Sequence, residues 1–470
     1  MATFSIENFG CRATDADAAA MRDSLLRRGF SPAAGHADAD VVVVNTCTVT
    51  SSADAQSREA IRKIHRANPA ARIIVTGCYA QRAPEELAAL SGVTTVVGNA
   101  HQSEIADIAA GKPDSAKHFV SVAALKTDAM SLDRGPAKIL TSDIFQQADI
   151  QLARAGTLAD DRTRPILKIQ DGCNNRCSYC VIPFVRGRSR SLVPNLVVEE
   201  AKKLVAAGAR EIVLSGINLG SYGRDLLPRT SLAGIVERIL VETSLEQLRF
   251  SSIEPQDVTE DFAALVASTS RIAPHFHVPL QSGSDRILRA MHRRYRAAHY
   301  AERVERLRRL LPVAAIGADV IAGFPGETAA DFQATVDLIE RLPFTYLHVF
   351  SFSARPGTKA DGLQGNLPPQ EIQVRARRLR AMSQEKAAEF RLSQAGTTLR
   401  ALTLHRRGQG WTEALTGNYL RIRAVGDFPA DIWLELRVTP SLEHIAEPVR
   451  AQHPGIAASS QRAPEMLAYS

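Results

Sequence analysis

Three cysteines, Cys173, Cys177 and Cys180, stand close together in the stretch DGCNNRCSYC. Thiolates grouped this tightly bind metal or bridge to iron. An ordinary iron–sulfur cluster takes four thiolates, whereas three leave one iron free to coordinate a small molecule. The competing readings are a structural zinc ion, which normally wants a fourth Cys or His, and thiols that merely lie near one another. The chain holds only three further cysteines, Cys11, Cys47 and Cys78, scattered in sequence, but each follows an apolar run: FSIENFGCRA, VVVVNTCTVT and IIVTGCYAQ. Parallel strands bring their C-terminal ends to one edge of a sheet, so distant cysteines can converge there, where α/β sheets bind ligands. The alternative is that these are small buried hydrophobes, a common fate of free cysteine. Two three-thiolate sites would use all six cysteines. In a reducing compartment, clustered thiols more often hold metal or do redox chemistry than form disulfides.

The elements that must position these groups follow from hydrophobic period. Apolar runs near 3–6, 41–44, 73–75 and 93–97 alternate with helix-like stretches near 15–28, 53–67 and 84–90. That pattern predicts a parallel sheet with covering helices, an α/β domain over 1–112. Residues 113–160 lose the rhythm and read as a linker or surface excursion. Strand-like runs then recur at 166–170, 211–215, 247–251, 275–279, 316–323 and 345–350, separated by helix-length stretches. Repeated βα units of this kind close into a partial (βα)6 barrel, here over 161–392, with chemistry at the C-terminal strand ends. The three-cysteine loop follows the first of these strands, at the barrel mouth. Short alternating runs broken by Gly408, Gly410 and Gly417 predict a small β-domain over 393–448, and 449–470 reads as a flexible tail.

Composition narrows the class. With 470 residues, 45% hydrophobic and 23% charged, the chain suits two or three globular domains and excludes disordered or collagen-like readings. A formal charge of +7 fits a polyanionic partner without demanding one. The N-terminus lacks a basic segment followed by an apolar one, and no apolar run is long enough to span a bilayer. A soluble, cytoplasmic protein with no membrane partner is the expectation.

The three-cysteine loop, with aromatic Tyr179 before its last cysteine, resembles the signature of the radical S-adenosylmethionine (SAM) superfamily. The resemblance implies that SAM chelates the open iron and is cleaved to a 5′-deoxyadenosyl radical. It narrows to the methylthiotransferases, through NTCTVT at 45–50, TGCYAQ at 76–81, DGCNNRCSYCVIPFVRGRSRS at 171–191, LSGINLGSYG at 214–223, SSIEP at 251–255, HFHVPLQSGSD at 275–285, IAGFPGET at 321–328 and RPGT at 355–358. This implies two [4Fe-4S] clusters, held by Cys11, Cys47 and Cys78 and by Cys173, Cys177 and Cys180. One SAM would methylate sulfur at the first, and a second, cleaved at the other, would generate the radical. NTCTVT, GINLGSYG and FSSIEP most resemble the branch that acts on N6-threonylcarbamoyladenosine at position 37, beside the tRNA anticodon. Isopentenyladenosine of tRNA and an aspartate of a ribosomal protein are the rival substrates, and a zinc-containing RNA-binding protein without enzymatic activity is the rival class. The tail, WTEALTGNYLRIRA, resembles a TRAM RNA-binding domain. Near Cys11 the chain departs from the family: GCRATDADAAA has Thr14 and Asp17 where the family has Asn and an acidic pair, and both are expected to cap the following helix.

By position at the strand ends, Ser215, Asn218, Glu254, Gln281, Ser282 and Asp319, with Tyr179, are the expected surroundings of SAM. Gly323, Pro325 and Gly326 should shape a tight turn, and His275 and His277 should point the same way as satisfied core histidines. Arg186, Arg188 and Arg190 alternate just after the cluster loop and are candidates for phosphates of a tRNA anticodon arm. Residues 286–309 read as one long basic helix carrying Arg289, Arg293, Arg294 and Arg296. An electron donor such as flavodoxin or ferredoxin is implied, and no general acid or base is singled out.

Overall fold

A computed structural model describes residues 1–111, 137–153, 163–440 and 445–451. Most of the predicted linker and tail lies outside these described residues. The chain forms two compact units, Met1–Glu389 and Phe390–Ser470, and no described helix is long and apolar enough to cross a membrane.

The first unit opens with a parallel sheet of β1 (Thr3–Asn8), β2 (Ser31–Pro32), β3 (Val41–Thr46), β4 (Arg72–Gly77), β5 (Val93–Val97) and β6 (Lys138–Leu140), in the order β2-β1-β3-β4-β5-β6. The VVVV run of β3 is central and wholly buried, as a strand covered on both faces must be. One face packs on Ile61, Ile64 and Leu87, the other on Met21, Leu25 and Ile105. β6 corrects the sequence reading, which placed 138–140 in the linker. Three residues are too few to show a period, and only pairing with β5 makes them a strand.

In the same unit, β7 (Ile166–Lys168) is followed by the short hairpin partners β8 (Gln170–Asp171) and β9 (Arg190–Ser191). The sheet then continues through β10 (Glu211–Ser215), β11 (Gln247–Phe250), β12 (His275–His277), β13 (Ala315–Ala322) and β14 (Tyr346–Ser351). β7, β10 and β11 pair in parallel, as do β12, β13 and β14. Parallel bridges Leu248↔Ile272 and Ser252↔His277 join the halves into a six-stranded partial barrel. Alternate residues such as Phe276, Ile316, Ala318 and Val320 face the helices and form the largest core. The intervening positions face inward and are polar: Glu211 and Arg249 form a fully buried ion pair, and His275 and His277 share the Tyr346 hydroxyl at 2.8 and 3.2 Å.

The second unit is a closed barrel of β15 (Thr398–Gly408), β16 (Trp411–Thr416), β17 (Arg421–Val425), β18 (Trp433–Val438) and β19 (Ile445–Ala451), in the order β15-β16-β17-β19-β18. Its interior holds Ala401, Ala414, Ile422, Ala424, Leu434 and Leu436. Closure removes the exposed strand edges that a small sheet would otherwise present.

Candidate functional site

Cys11, Cys47 and Cys78 follow β1, β3 and β4, three adjacent parallel strands paired through Asn8↔Asn45, Asn45↔Thr76 and Thr46↔Gly77. Their thiols converge at one sheet edge, close enough that Cys11 and Cys78 both act on Cys47. Gly77 makes the approach possible. Its φ is +99°, and a Cβ there would sit 2.3 Å from the Thr46 carbonyl oxygen. Gly10, at φ +121°, lets the Cys11 loop close on Cys47, whose Cβ would lie 3.2 Å from an added methyl. Side-chain amides brace the edge: Asn45 Nδ2 donates to Asn8 Oδ1 at 2.8 Å and to the Thr14 carbonyl at 3.0 Å.

The surroundings of Cys11 overturn the capping expectation. Cys11 itself is the N-cap of helix Arg12–Arg27, with no side-chain cap bond. Thr14 Oγ1 donates back to the Cys11 carbonyl at 2.6 Å. Asp17 sits inside the helix, buried, between Lys168 and the Arg186 guanidinium, the latter 2.8 Å away. A carboxylate a full turn into a helix is too far from the exposed amides to cap them.

Arg186 is a second correction. It is 2% exposed, so phosphates cannot reach it. Its Nε donates to Cys78 Sγ at 3.3 Å, and its other nitrogens face Asp17 and Asp171. Arg190 turns inward as well, toward Asp171 at 3.3 Å and the Arg186 carbonyl at 2.7 Å. Arg188 alone of the three is exposed.

The second triad hangs on a tightly folded loop. Gly172, at φ +68°, admits the Arg188 carbonyl where any Cβ would clash at 2.0 Å. Gln170 Nε2 donates to the Asp171 and Gly172 carbonyls, each at 2.8 Å, and its Oε1 accepts from Asn218 N at 2.7 Å. Cys173 N donates to the Gly187 carbonyl, Cys180 N to the Cys177 carbonyl, and Ser178 anchors to Ala290 and Met291. Tyr179 packs with Ile287, Met291, Ile321 and Phe324.

The predicted SAM surroundings divide. Asn218 Nδ2 points at Cys173 Sγ, while the buried Asn218 Oδ1 and Ser215 Oγ have no partner among the described residues. Glu254 is ion-paired to Arg293, whose Nη1 donates to Cys177 Sγ at 3.4 Å. Asp319 accepts from His277 Nε2 at 2.9 Å and faces His348 Nδ1 at 3.4 Å. Gln281, at φ +67°, bridges onto β13 through its backbone. Ser282 departs from expectation: wholly buried, its hydroxyl meets Thr335 Oγ1 at 3.3 Å and accepts from Ser284 N at 3.2 Å, so it holds the turn. The predicted long basic helix is two, Asp285–Ala290 and Ala297–Leu310, broken near His292, whose φ is +56°. That break carries Arg293 inward.

Sequence reading missed Lys168, Asp171, Arg293 and Arg355 as site residues. Arg355 of RPGT reaches Asp54 at 2.6 Å and the Thr48 carbonyl at 3.4 Å, tying that motif to the Cys47 loop. Asp171 and Arg355 lie inside motifs and Lys168 lies just before Cys173, whereas Arg293 read only as part of a basic helix.

The donor sets suit iron–sulfur groups. Burial, reinforced by the neighbouring thiols, pushes Cys47 up to about 12 and Cys173 up to about 11. Thiols so weak ionise at neutral pH when a metal takes the proton's place. Two buried polar atoms, Ser215 Oγ and Asn218 Oδ1, have no partner among the described residues, and Asn218 lies next to Cys173.

A six-stranded partial barrel with a three-cysteine loop after its first strand defines a radical SAM enzyme, and residues 167–339 match the Radical SAM superfamily. Residues 3–98 match Uncharacterized protein family UPF0004. A threonylcarbamoyladenosine tRNA methylthiotransferase MtaB of Aquifex aeolicus is 36% identical over 90% of this chain and 96% of its own length. Its namesake in Bacillus subtilis is 35% identical, covering 83% and 82%. A tRNA-2-methylthio-N(6)-dimethylallyladenosine synthase of Syntrophobacter fumaroxidans is 33% identical, covering 84% of each. The chain belongs to the radical SAM methylthiotransferase family. Among solved structures, a radical S-adenosylmethionine methyltransferase, TsrM, from Kitasatospora setae shares the fold, with TM-score 0.53 and 18% identity over 77% of each chain.

Proposed function

We propose that this enzyme adds a methylthio group to C2 of N6-threonylcarbamoyladenosine at position 37 of tRNA. The observation that carries the reading is that Arg186, in the segment following Cys173, Cys177 and Cys180, is bonded to Cys78 of the other triad within one compact unit. The family resemblance implies one centre that supplies sulfur and another that generates the radical. The relatives named for threonylcarbamoyladenosine and for dimethylallyladenosine have similar identities, so the substrate choice rests on the branch motifs NTCTVT, GINLGSYG and FSSIEP.

Cys173, Cys177 and Cys180 hold one [4Fe-4S] cluster, and Cys11, Cys47 and Cys78 the second. When bound, SAM and these clusters supply the radical and sulfur chemistry that an unactivated adenine C2–H requires. Ser215 and Asn218 would help to hold SAM through their buried oxygens. Glu254, fixed by Arg293, and Asp319, fixed by His277, line the space beyond. Arg188 is exposed beside the cluster loop and meets the anticodon arm. The small barrel turns Arg406, Arg407, Arg421, Arg423 and Arg437 outward, a basic surface for RNA phosphates. Electrons come from a flavodoxin- or ferredoxin-type donor, in the cytoplasm.

The test is mass spectrometry of tRNA nucleosides from cells lacking the protein, restored with the intact chain or with Cys177→Ala. Loss of the 2-methylthio nucleoside, recovered by the intact chain alone, supports the reading. An unchanged level overturns it and redirects the search to isopentenyladenosine and the ribosomal-protein aspartate.

A further inference from the structure

We infer that Arg186 is a positioning residue for the Cys11/Cys47/Cys78 cluster: its guanidinium, donated to Cys78 Sγ, raises that cluster's reduction potential and couples it to the SAM-cleaving loop. The inference rests on the proposed second cluster and goes beyond it by assigning what controls that cluster.

Arg186 is 2% exposed, and its side chain ends against a sulfur, with Nε 3.3 Å from Cys78 Sγ. Around it lie two carboxylates, Asp17 and Asp171, and two more cations, Lys168 and Arg190. Three cations against two carboxylates leave one positive charge uncompensated within this group. Burying such a charge is costly unless an anion meets it. A metal-bound Cys78 thiolate, where the spare N–H points, is the anion the geometry provides.

The contacts also fix Arg186 in place. Asp17 comes from helix Arg12–Arg27, which starts at Cys11; Lys168 and Asp171 come from β7 and β8, which lead into Cys173. Arg186 therefore stands between elements that carry ligands of both clusters. Asn99 adds a second link, since its Nδ2 donates to the Val185 carbonyl at 2.7 Å and faces Cys78 Sγ at 3.9 Å. The loop that binds one cluster thus supplies the cation for the other.

The sign of the effect follows from electrostatics. Reduction adds negative charge to a cluster, and a fixed cation with an N–H···S bond stabilises that charge. Hydrogen bonds to sulfur and net local charge are established levers on cluster potential. Removing Arg186 should make the cluster harder to reduce; lysine, which keeps the charge but loses the planar fork between Asp17 and Asp171, should do so less.

The experiment uses the full chain with Cys173, Cys177 and Cys180 replaced by Ala, so that one cluster remains. Iron and sulfide content and an EPR-monitored redox titration are compared for this parent and for added Arg186→Gln and Arg186→Lys. The expected result is a cluster in the parent and a downward midpoint shift, larger in Arg186→Gln than in Arg186→Lys. A shift of about 59 mV corresponds to a tenfold change in the reduced-to-oxidised ratio for one electron. If Arg186→Gln fails to assemble a cluster, a lowered midpoint in Arg186→Lys alone supports the inference. An unchanged midpoint in either variant that keeps its iron overturns it, as does loss of iron from both with the fold retained by circular dichroism. Absence of iron and sulfide from the parent would instead overturn the second-cluster reading itself.

Discussion

Arg293 links Glu254 to Cys177: one end of its guanidinium is ion-paired to the carboxylate, and Nη1 lies 3.4 Å from the sulfur. Both side chains are largely enclosed, at 5% and 18% exposure. Arg293→Ala leaves Glu254 without its countercharge, an expected loss of about 3–5 kcal/mol for a broken buried pair. Adding Glu254→Gln should recover part of it, because the stranded charge is then gone. Thermal and denaturant unfolding of the single and double variants checks this, and a loss no greater than that of an exposed pair would refute it.

Lys168 stands between Asp17 and Asp171, all three buried. Lys168→Met should therefore destabilise by about 1–3 kcal/mol, because Asp17 and Asp171 each lose a buried charged hydrogen-bond donor while still facing Arg186. Combined with Asp17→Asn, the two losses should fall short of additive by about 0.5–3 kcal/mol. Strict additivity in the double-mutant cycle would show that the pair is not coupled.

Asp331 supplies the acid-sensitive contact between two motifs. It closes the capping box of helix Ala329–Arg341 with Thr328, accepts from Ser284 Oγ at 2.6 Å and pairs with Arg286. Burial alone would raise this carboxyl, but Arg286, Ser284 and Thr328 together hold it well below the usual carboxylate range. A depressed folded value means the stabilisation is complete above the unfolded value of about 3.9 and is lost as pH falls through the folded one. Asp331→Asn should cost about 1–2 kcal/mol at pH 7, as loss of a helix cap does, and the gap to the parent should narrow below about pH 4. A gap that stays constant down to acid unfolding would contradict this.

Gly77 adopts φ +99° and ψ −167°, a region closed to side chains, with its missing Cβ against Thr46. Gly77→Ala should cost at least about 1–3 kcal/mol in backbone strain and push Cys78 away from Cys47, lowering iron bound per chain. Gly111→Ala is the control, since it shares a positive φ of +70° but meets nothing within 4 Å. Equal iron content in the two variants would argue against the role given to Gly77.

The outward faces of β17 alternate with its core, leaving Arg421 and Arg423 exposed, Arg423 lying 4.8 Å over the Trp411 ring. Arg421→Ala with Arg423→Ala should weaken tRNA binding and flatten its dependence on salt by about one to two counterions. An unchanged salt slope in filter binding or anisotropy would remove this surface from the RNA interface.

Much of the architecture was legible from local pattern. The period of two in YLRIRAV predicted β-structure that the second unit shows, and the apolar runs VVVV, EIVLS and IGADVIAG fall on β3, β10 and β13. Parallel strands sharing a direction made convergence of Cys11, Cys47 and Cys78 predictable, although they are scattered in sequence. The cysteine spacing and the order of motifs indicated the chemistry, because metal chemistry depends on residue type and short-range position.

Partners of charged side chains were not legible. Asp17 and Lys168 are 151 residues apart, and nothing local to either marks the other. The alternating arginines 186, 188 and 190 read together as candidates for tRNA phosphates, yet packing buries the first against Cys78, folds Arg190 inward and leaves only Arg188 of the three exposed. Composition and periodicity decide which segments become strands and helices and which thiols can meet. Whether a given arginine faces RNA or a sulfur depends on which element is packed over it, and that is settled by long-range contacts that no short window of sequence contains.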